Sequence, residues 1–253
     1  MLTVSTDREE FIDSNGVRIW TCARGQGVPF ILCAGGAGCC DYLEPVAEMI
    51  DEYAMVIRWE DRGCGRSECP PPYSVAASVS AIEDIRRHYG FERWIVGGHS
   101  WGSDLALAYA LAYPQRTIAL TGIAGGVVHK DQLWSEQYHR LKAATPEYLP
   151  TFKYPPNLTV NEQMSASWRE YVREPHILRA IAELIIPSLY IWGEKDIRPH
   201  WPVEQLASLL PRGRFVVIKD APHVIWHTHS DELKRELREF LQTISEVIAI
   251  SRP

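Results

Sequence analysis

The stretch Trp94-Ile95-Val96-Gly97-Gly98-His99-Ser100-Trp101-Gly102 decides the fold of this chain. It is an apolar run that ends in the pattern Gly-x-Ser-x-Gly, and an Ala/Leu-rich segment over 103–113 follows it. This order predicts a strand, a sharp turn at Ser100 and a helix, with the glycines required because the turn is strained and closely packed. The Ser100 hydroxyl is then expected to stand above the end of the strand, next to a helix N-terminus that favours negative charge.

Outward from this turn, apolar runs alternate with helical patterns. Strands are predicted over 28–33, 54–59, 94–98, 117–123, 188–192 and 214–218, and helices over 41–51, 75–89, 103–113 and a C-terminal stretch whose Leu233, Leu237, Phe240, Leu241 and Ile244 share one face. Asn15-Gly16 predicts an N-terminal antiparallel hairpin over 10–22, because both residues accept a positive φ. The alternation predicts an α/β fold with a mostly parallel, doubly wound sheet and helices on both faces.

The alternation breaks between Val127 and Ile185. This segment is helical in character, rich in aromatic residues, and interrupted at Tyr154-Pro155-Pro156. We interpret 127–185 as a small helical cap over the carboxyl edge of the sheet. Residues 1–126 and 186–253 then form the core, a division that suits a chain of 253 residues.

The bulk composition excludes several classes of protein. The net charge of −6 gives no basic footprint for nucleic acid and no attraction to an anionic membrane. The chain has no apolar run of 18 residues, and its first ten residues lack the pattern of a secretory signal.

The six cysteines, at 22, 33, 39, 40, 64 and 69, form no Cys-x-x-Cys pair, so we expect reduced thiols in a cytoplasmic protein. Nothing indicates the oligomeric state.

Ser100 requires a base and an orienting acid to act as a nucleophile. On this type of sheet the chain order is Ser, then Asp or Glu, then His. Asp196 follows the predicted strand 188–192, and His223 follows the strand 214–218. We therefore predict Asp196 as the orienting acid and His223 as the base. The alternatives left open are Glu194 or Asp220 as the acid and His227 or His229 as the base. His99, inside the turn, is expected either to pack there or to support the catalytic residues without touching the substrate.

A developing oxyanion needs backbone N–H donors aimed at it. One is expected from Trp101, the residue after the nucleophile. The other is expected near Gly36, in the glycine-rich loop Ala34-Gly35-Gly36-Ala37-Gly38.

Three segments together resemble one family. The loop 34–38 resembles His-Gly-Gly-Pro-Gly, the segment 60–67 resembles Asp-Gln-Arg-Gly-x-Gly-Arg-Ser, and 97–110 resembles the start of an elbow helix, Gly-Gly-Ser-Trp-Gly-Ser-Thr-Leu-Ala-Leu-Ala-Tyr. These are marks of the proline iminopeptidase-like branch of the α/β hydrolases. The resemblance implies the α/β-hydrolase fold, release of N-terminal residues from short peptides through an acyl-enzyme, and no metal or organic cofactor.

The chain departs from that pattern at four positions. Ala34 and Ala37 replace the histidine and the proline of the loop, Glu60 stands where the family has Asp, and His99 is an additional histidine. The family also binds the free amine of its substrate with acidic residues of the cap, for which Glu162, Glu170 and Glu174 are candidates by position.

Other functions remain open beside the peptidase. A carboxylesterase or lactonase acting on small acyl substrates would use the same Ser-His-Asp set. A non-catalytic ligand-binding protein could also keep the fold. Halide or epoxide chemistry normally requires an Asp at the nucleophile position, and Ser100 argues against it.

Overall fold

A computed structural model describes residues 7–250 of the chain, with side chains through residue 246, while residues 1–6 and 251–253 lie outside the described part. Its strands are β1 Arg8–Ser14, β2 Val17–Gly25, β3 Val28–Cys33, β4 Ala54–Trp59, β5 Trp94–His99, β6 Thr117–Ile123, β7 Ser188–Gly193 and β8 Gly213–Ile218. Its helices are α1 Glu44–Ile50, α2 Val75–His88, α3 Trp101–Ala112, α4 Gln132–Ala144, α5 Leu158–Tyr171, α6 Ile177–Glu183, α7 Trp201–Leu209 and α8 Ser230–Ile250.

The strands form one sheet in the order β1-β2-β4-β3-β5-β6-β7-β8. Strands β1 and β2 pair in antiparallel fashion around Asn15 and Gly16, which have φ values of 54° and 81°. Strand β2 also pairs antiparallel with β4, and every pair from β4 through β8 is parallel. The predicted α/β-hydrolase fold, with its mostly parallel sheet and N-terminal hairpin, is confirmed.

Helices cover both faces of the sheet. On one face α1 and α8 pack over a core that includes Leu32, Val56 and Ile191. On the other face α2, α3 and α7 pack over a core that includes Val96 and Tyr190. The five apolar residues predicted to share a face of the C-terminal helix all lie in the first of these cores.

Helix α7 was not predicted from the sequence. It begins immediately before Pro202, which fits the first turn of a helix because proline has no N–H to donate. Its buried residues Val203, Leu206 and Ala207 have helical spacing, but they were not distinguished from the loop that follows β7.

The sheet order reverses between β3 and β5. The chain moves outward from β3 to β4 on one side, and from β5 through β8 on the other. In open α/β sheets such a reversal leaves a crevice beyond the carboxyl ends of the strands, where ligands bind. The loop 34–38 and the turn at Ser100 both lie at this point.

Candidate active site

Ser100 occupies the turn between β5 and α3 in a strained backbone conformation. Its φ and ψ are 52° and −122°, outside the regions that a residue with a side chain normally adopts. The Ser100 N–H donates to the carbonyl of Ile123 over 2.8 Å, which fixes the turn against the end of β6. The surrounding structure therefore holds Ser100 in a conformation that a free chain would avoid.

The two glycines of the Gly-x-Ser-x-Gly pattern are required by close packing. A Cβ on Gly98 would overlap the backbone of Gly102, and a Cβ on Gly102 would overlap the carbonyl group of Cys33. Both overlaps involve backbone atoms, which cannot move aside as a flexible side chain can. The pattern therefore allows the turn to pack between β3 and α3.

Asp196 and His223, the predicted acid and base, lie next to each other. Asp196 follows β7, His223 follows β8, and Nδ1 of His223 donates to Oδ2 of Asp196 over 2.5 Å. Burial alone would raise the pKa of Asp196, but the charges and hydrogen bonds of His223 and Arg198 outweigh it and lower the pKa below the ordinary value. Asp196 is therefore held as a carboxylate, and His223 keeps Nε2 as its basic atom.

The loop that carries His223 also contacts the turn at Ser100. His99, the residue before Ser100, donates from Nε2 to the carbonyl oxygen of His223 over 3.1 Å. The rings of His99 and His223 lie 4.7 Å apart between centroids. The segments of Ser100 and His223 are thus joined through His99.

The alternative acids and bases have other partners. Glu194 is exposed and accepts from the N–H of Asp220 over 2.9 Å, while Asp220 pairs with Lys195 at the same distance. His227 stacks on Tyr148, and His229 bonds to the hydroxyl of its neighbour Thr228. Of the carboxylates considered, Asp196 is the one that is hydrogen-bonded to a histidine of this region.

Two charged residues beside Asp196, namely Arg198 and Glu147, were not identified from the sequence. Arg198 donates from its backbone N–H and from Nη1 to Oδ1 of Asp196, over 2.9 and 3.0 Å, and it also pairs with Glu147. Glu147, Asp196 and His223 present three possible metal-ligand atoms within 4.8 Å of one another. The guanidinium group of Arg198 already supplies the positive charge between the two carboxylates. The position of Arg198, two residues after Asp196, was the only feature of the sequence that could have indicated its role.

The glycine-rich loop lies beside a small cavity. Gly36, with a φ of 68°, lines a cavity of about 30 Å³ together with Trp101. Within residues 7–250, neither the Gly36 N–H nor the Trp101 N–H donates to another group of the chain. These are the two donors expected for an oxyanion, and a cavity of that size has room for about one water molecule.

The start of α5 is hydrogen-bonded to the glycine-rich loop 34–38. The Asn157 N–H donates to the carbonyl of Gly38 over 2.8 Å, and the Asn161 side chain donates to the carbonyl of Ala37 over 2.9 Å. Further along the helix, Trp168 packs edge-on against Trp101 with 5.7 Å between ring centroids. The helix therefore contacts the loop that carries Gly36, as well as Trp101 itself.

Two partly buried carboxylates line cavities at Trp101. Asp61 lines the small cavity and accepts from Ser78 and from the Arg62 N–H, and burial raises the pKa of Asp61 to about 6. Asp104 lines a second cavity of about 480 Å³ and accepts from the N–H groups of Gly126 and Val127 over 2.8 and 2.9 Å. Burial raises the pKa of Asp104 to about 7.

The glutamates considered for the amine lie elsewhere. Glu162, Glu170 and Glu174 are exposed, and none of them lines either cavity at Trp101 in the described part of the chain. The carboxylates that do line these cavities, Asp61 and Asp104, belong to the loop after β4 and to α3. Neither was identified from the sequence.

Glu60 has a structural role in the loop after β4. Its carboxylate is fully buried and accepts from the Asp41 N–H over 3.1 Å and from the backbone and guanidinium N–H groups of Arg66. It therefore connects this loop to the segment before α1.

The chain matches the sequence profile of the family described as the alpha/beta hydrolase fold over residues 28–167, more than half of its length. It belongs to that family, and this membership of a hydrolase family agrees with the prediction of an enzyme. Among the described residues, no helix is long and apolar enough to cross a membrane.

Within the family the chain is similar to proline iminopeptidases, which confirms the resemblance drawn from its motifs. It is 34% identical over 149 residues to the proline iminopeptidase of Neisseria gonorrhoeae, covering 48% of this chain and 44% of the relative. It is 35% identical over 130 residues to a probable proline iminopeptidase of Streptomyces coelicolor, covering 45% and 38%. The chain thus spans less than half the length of these curated relatives.

Two solved structures share the fold over nearly the whole chain. The proline iminopeptidase of Mycobacterium smegmatis has a TM-score of 0.75 at 18% identity, covering 95% of this chain and 100% of that one. A thermophilic esterase from Thermogutta terrifontis has a TM-score of 0.71 at 19% identity, covering 96% and 100%. At these identities the likeness shows the fold alone.

Proposed function

We propose that this protein is a serine hydrolase with Ser100 as nucleophile, His223 as general base and Asp196 as the acid that orients the imidazole. The observation that carries the proposal is the 2.5 Å hydrogen bond between His223 Nδ1 and Asp196 Oδ2, on a loop that contacts the strained turn at Ser100. That bond leaves Nε2 of His223 as the atom that accepts a proton.

The reaction proceeds in two steps. Oγ of Ser100 attacks the acyl carbon while Nε2 of His223 takes the hydroxyl proton, and the N–H groups of Gly36 and Trp101 bind the developing oxyanion. The leaving amine or alcohol then takes that proton from His223. Water hydrolyses the acyl-enzyme by the same route, with His223 accepting its proton, and Ser100 is regenerated.

The substrate class we propose is a short peptide with a free N-terminal residue, as the names of the curated relatives suggest. The carboxylate of Asp61, in the small cavity at Trp101, supports this choice because a substrate ammonium group requires an acidic partner. Burial raises the pKa of Asp61 to about 6, and a bound ammonium group would favour its ionised form.

A small ester or lactone is the second candidate. Most of the other residues around the small cavity are apolar or backbone groups, among them Trp59, Leu105 and Met164. Such a lining suits an uncharged acyl group.

We propose further that 127–185 forms a cap that selects the substrate. Helices α4, α5 and α6 all come from this segment, and the contacts of Asn157, Asn161 and Trp168 with the loop 34–38 and Trp101 support the proposal. A cytoplasmic location also belongs to this proposal, supported by six cysteines that are all free thiols.

Hydrolysis of proline p-nitroanilide and of p-nitrophenyl acetate separates the two candidate substrates. We expect activity on both, and we expect Asp61→Asn to raise KM for the anilide about tenfold while leaving KM for the ester within twofold. Glu162→Gln, a change on an exposed side chain of α5, serves as the matched control. Activity on the ester alone would exclude the peptidase.

A further inference from the structure

Tyr42 and His99 form a hydrogen-bond chain that the proposed mechanism does not use. The Gly35 N–H donates to the Tyr42 hydroxyl oxygen over 2.9 Å, and that oxygen lies 2.6 Å from Nδ1 of His99. Nε2 of His99 lies 3.1 Å from the carbonyl oxygen of His223. The chain therefore runs from the glycine-rich loop, through the turn at Ser100, to the backbone of the proposed base.

The two ends of this hydrogen-bond chain determine which atom donates in each of its hydrogen bonds. An amide N–H can only donate, and a carbonyl oxygen can only accept. The Tyr42 hydroxyl accepts from Gly35 and gives its own proton to Nδ1 of His99, and His99 carries its proton on Nε2. Burial, together with the nearby His223, lowers the pKa of His99 well below the ordinary value, so the ring stays in this neutral form.

No local stretch of sequence can hold these three segments in register. Gly35, His99 and His223 come from the ends of three different strands, and His99 is almost fully buried between them. Its ring also meets Trp226 edge-on at 4.7 Å between centroids, while Tyr42 packs against Phe152 and Trp226.

We propose that Tyr42 and His99 are positioning residues that hold the Gly36 oxyanion donor and the His223 base in register with Ser100. Gly35 immediately precedes Gly36, so fixing the Gly35 N–H limits the position of the next peptide group. Fixing the carbonyl of His223 limits the position of the imidazole in the same way. The inference rests on the proposed function, because it assigns a role only if Gly36 and His223 act as described above.

Three substitutions separate positioning from packing. Tyr42→Phe removes the hydroxyl and keeps the ring, His99→Leu removes both ring nitrogens, and His99→Gln keeps one acceptor and one donor. Tyr190→Phe is the matched control, because the Tyr190 hydroxyl is buried and has no hydrogen-bond partner among the described residues. Each variant is assayed for kcat and KM on whichever of the two substrates the wild type hydrolyses.

We expect Tyr42→Phe and His99→Leu each to lower kcat about tenfold or more with KM within twofold, since an oxyanion donor acts mainly in the transition state. The double variant Tyr42→Phe/His99→Leu should have a kcat no lower than that of His99→Leu alone, because both changes break the same hydrogen-bond chain. His99→Gln should recover kcat to within about fivefold of the wild type, and Tyr190→Phe should match the wild type.

A kcat of Tyr42→Phe within twofold of the wild type would overturn the inference, as would equal effects of Tyr42→Phe and Tyr190→Phe. These outcomes leave the proposed function intact because the wild type is active in both. A wild type that hydrolyses neither substrate and is not labelled by a fluorophosphonate would instead overturn the proposed function, and the positioning role with it. If His99→Leu fails to fold, the kcat values of Tyr42→Phe and His99→Gln still test the positioning role.

Discussion

Asp196 accepts more hydrogen bonds than the orientation of His223 alone requires. One oxygen accepts from His223, and the other accepts from both the backbone N–H and the guanidinium group of Arg198. These bonds outweigh the effect of burial and keep the pKa of Asp196 low. A carboxylate held in this way stays ionised, as the orienting acid of the proposed mechanism must.

Asp196→Asn tests this role at the scale of a residue. The amide keeps the shape of the side chain, but its NH₂ group favours the wrong tautomer of His223, so we expect kcat to fall by roughly 10⁴-fold with little change in KM. Glu194→Gln, two residues earlier and exposed, is the control and should keep wild-type kcat. Equal kcat values for the two variants would remove Asp196 from the mechanism.

At the residue scale, Asp196 and His223 could be proposed from the sequence, but the side chains around them could not. Strand ends and chain order were enough to select Asp196 and His223, because parallel strands bring their carboxyl ends to one edge. Arg198, Glu147 and Tyr42 were not selected, because their roles depend on side-chain directions in loops. No periodic pattern records those directions.

At the scale of an element, Ser100 and Asp104 both lie at the start of α3. Ser100 precedes the helix, and Asp104 lies in its first turn, facing the N–H groups that follow β6. Burial raises the pKa of Asp104 to about 7 in the folded protein, above its ordinary value. Between about pH 4 and pH 7 the folded state therefore binds more protons at this group than the unfolded chain does.

Asp104→Asn tests this pKa through stability. Since the folded-state pKa is raised, the contribution of Asp104 to stability falls as pH rises from about 4 to about 7. We expect the free energy of unfolding of Asp104→Asn, relative to wild type, to increase by about 2–3 kcal/mol between pH 5 and pH 8. Urea unfolding at both pH values measures the difference, and parallel pH profiles for the two proteins would contradict it.

At the scale of the whole molecule, the sheet could be predicted closely and the loops could not. Strand β3, for example, is a continuous apolar run that ends at the glycine-rich loop 34–38, so its limits can be read directly. Helix α7 was missed because its apolar face is short, and the contacts of α5 with the loop 34–38 join residues more than 100 positions apart. Such contacts depend on the assembled fold.

The proposed reducing location makes a prediction about thiols. Cys69 is exposed, Cys39 is half-buried, and Cys22, Cys33, Cys40 and Cys64 are buried, with burial raising the pKa of Cys33 to about 12. Because the thiolate is the reactive form, we expect one fast thiol with a disulfide reagent at pH 8 in the native protein and six after unfolding without reductant. The control Cys69→Ser should remove the fast reaction. A count of four after unfolding would reveal a disulfide and contradict the proposal.

The central claim is that the assembled fold activates Ser100, and covalent labelling tests it most directly. Intact mass after treatment with a fluorophosphonate should show one adduct per chain, located on Ser100 by peptide mapping, and none on Ser100→Ala. A folded wild type that stays unlabelled, or a Ser100→Ala variant that is labelled as fully as the wild type, would contradict the account.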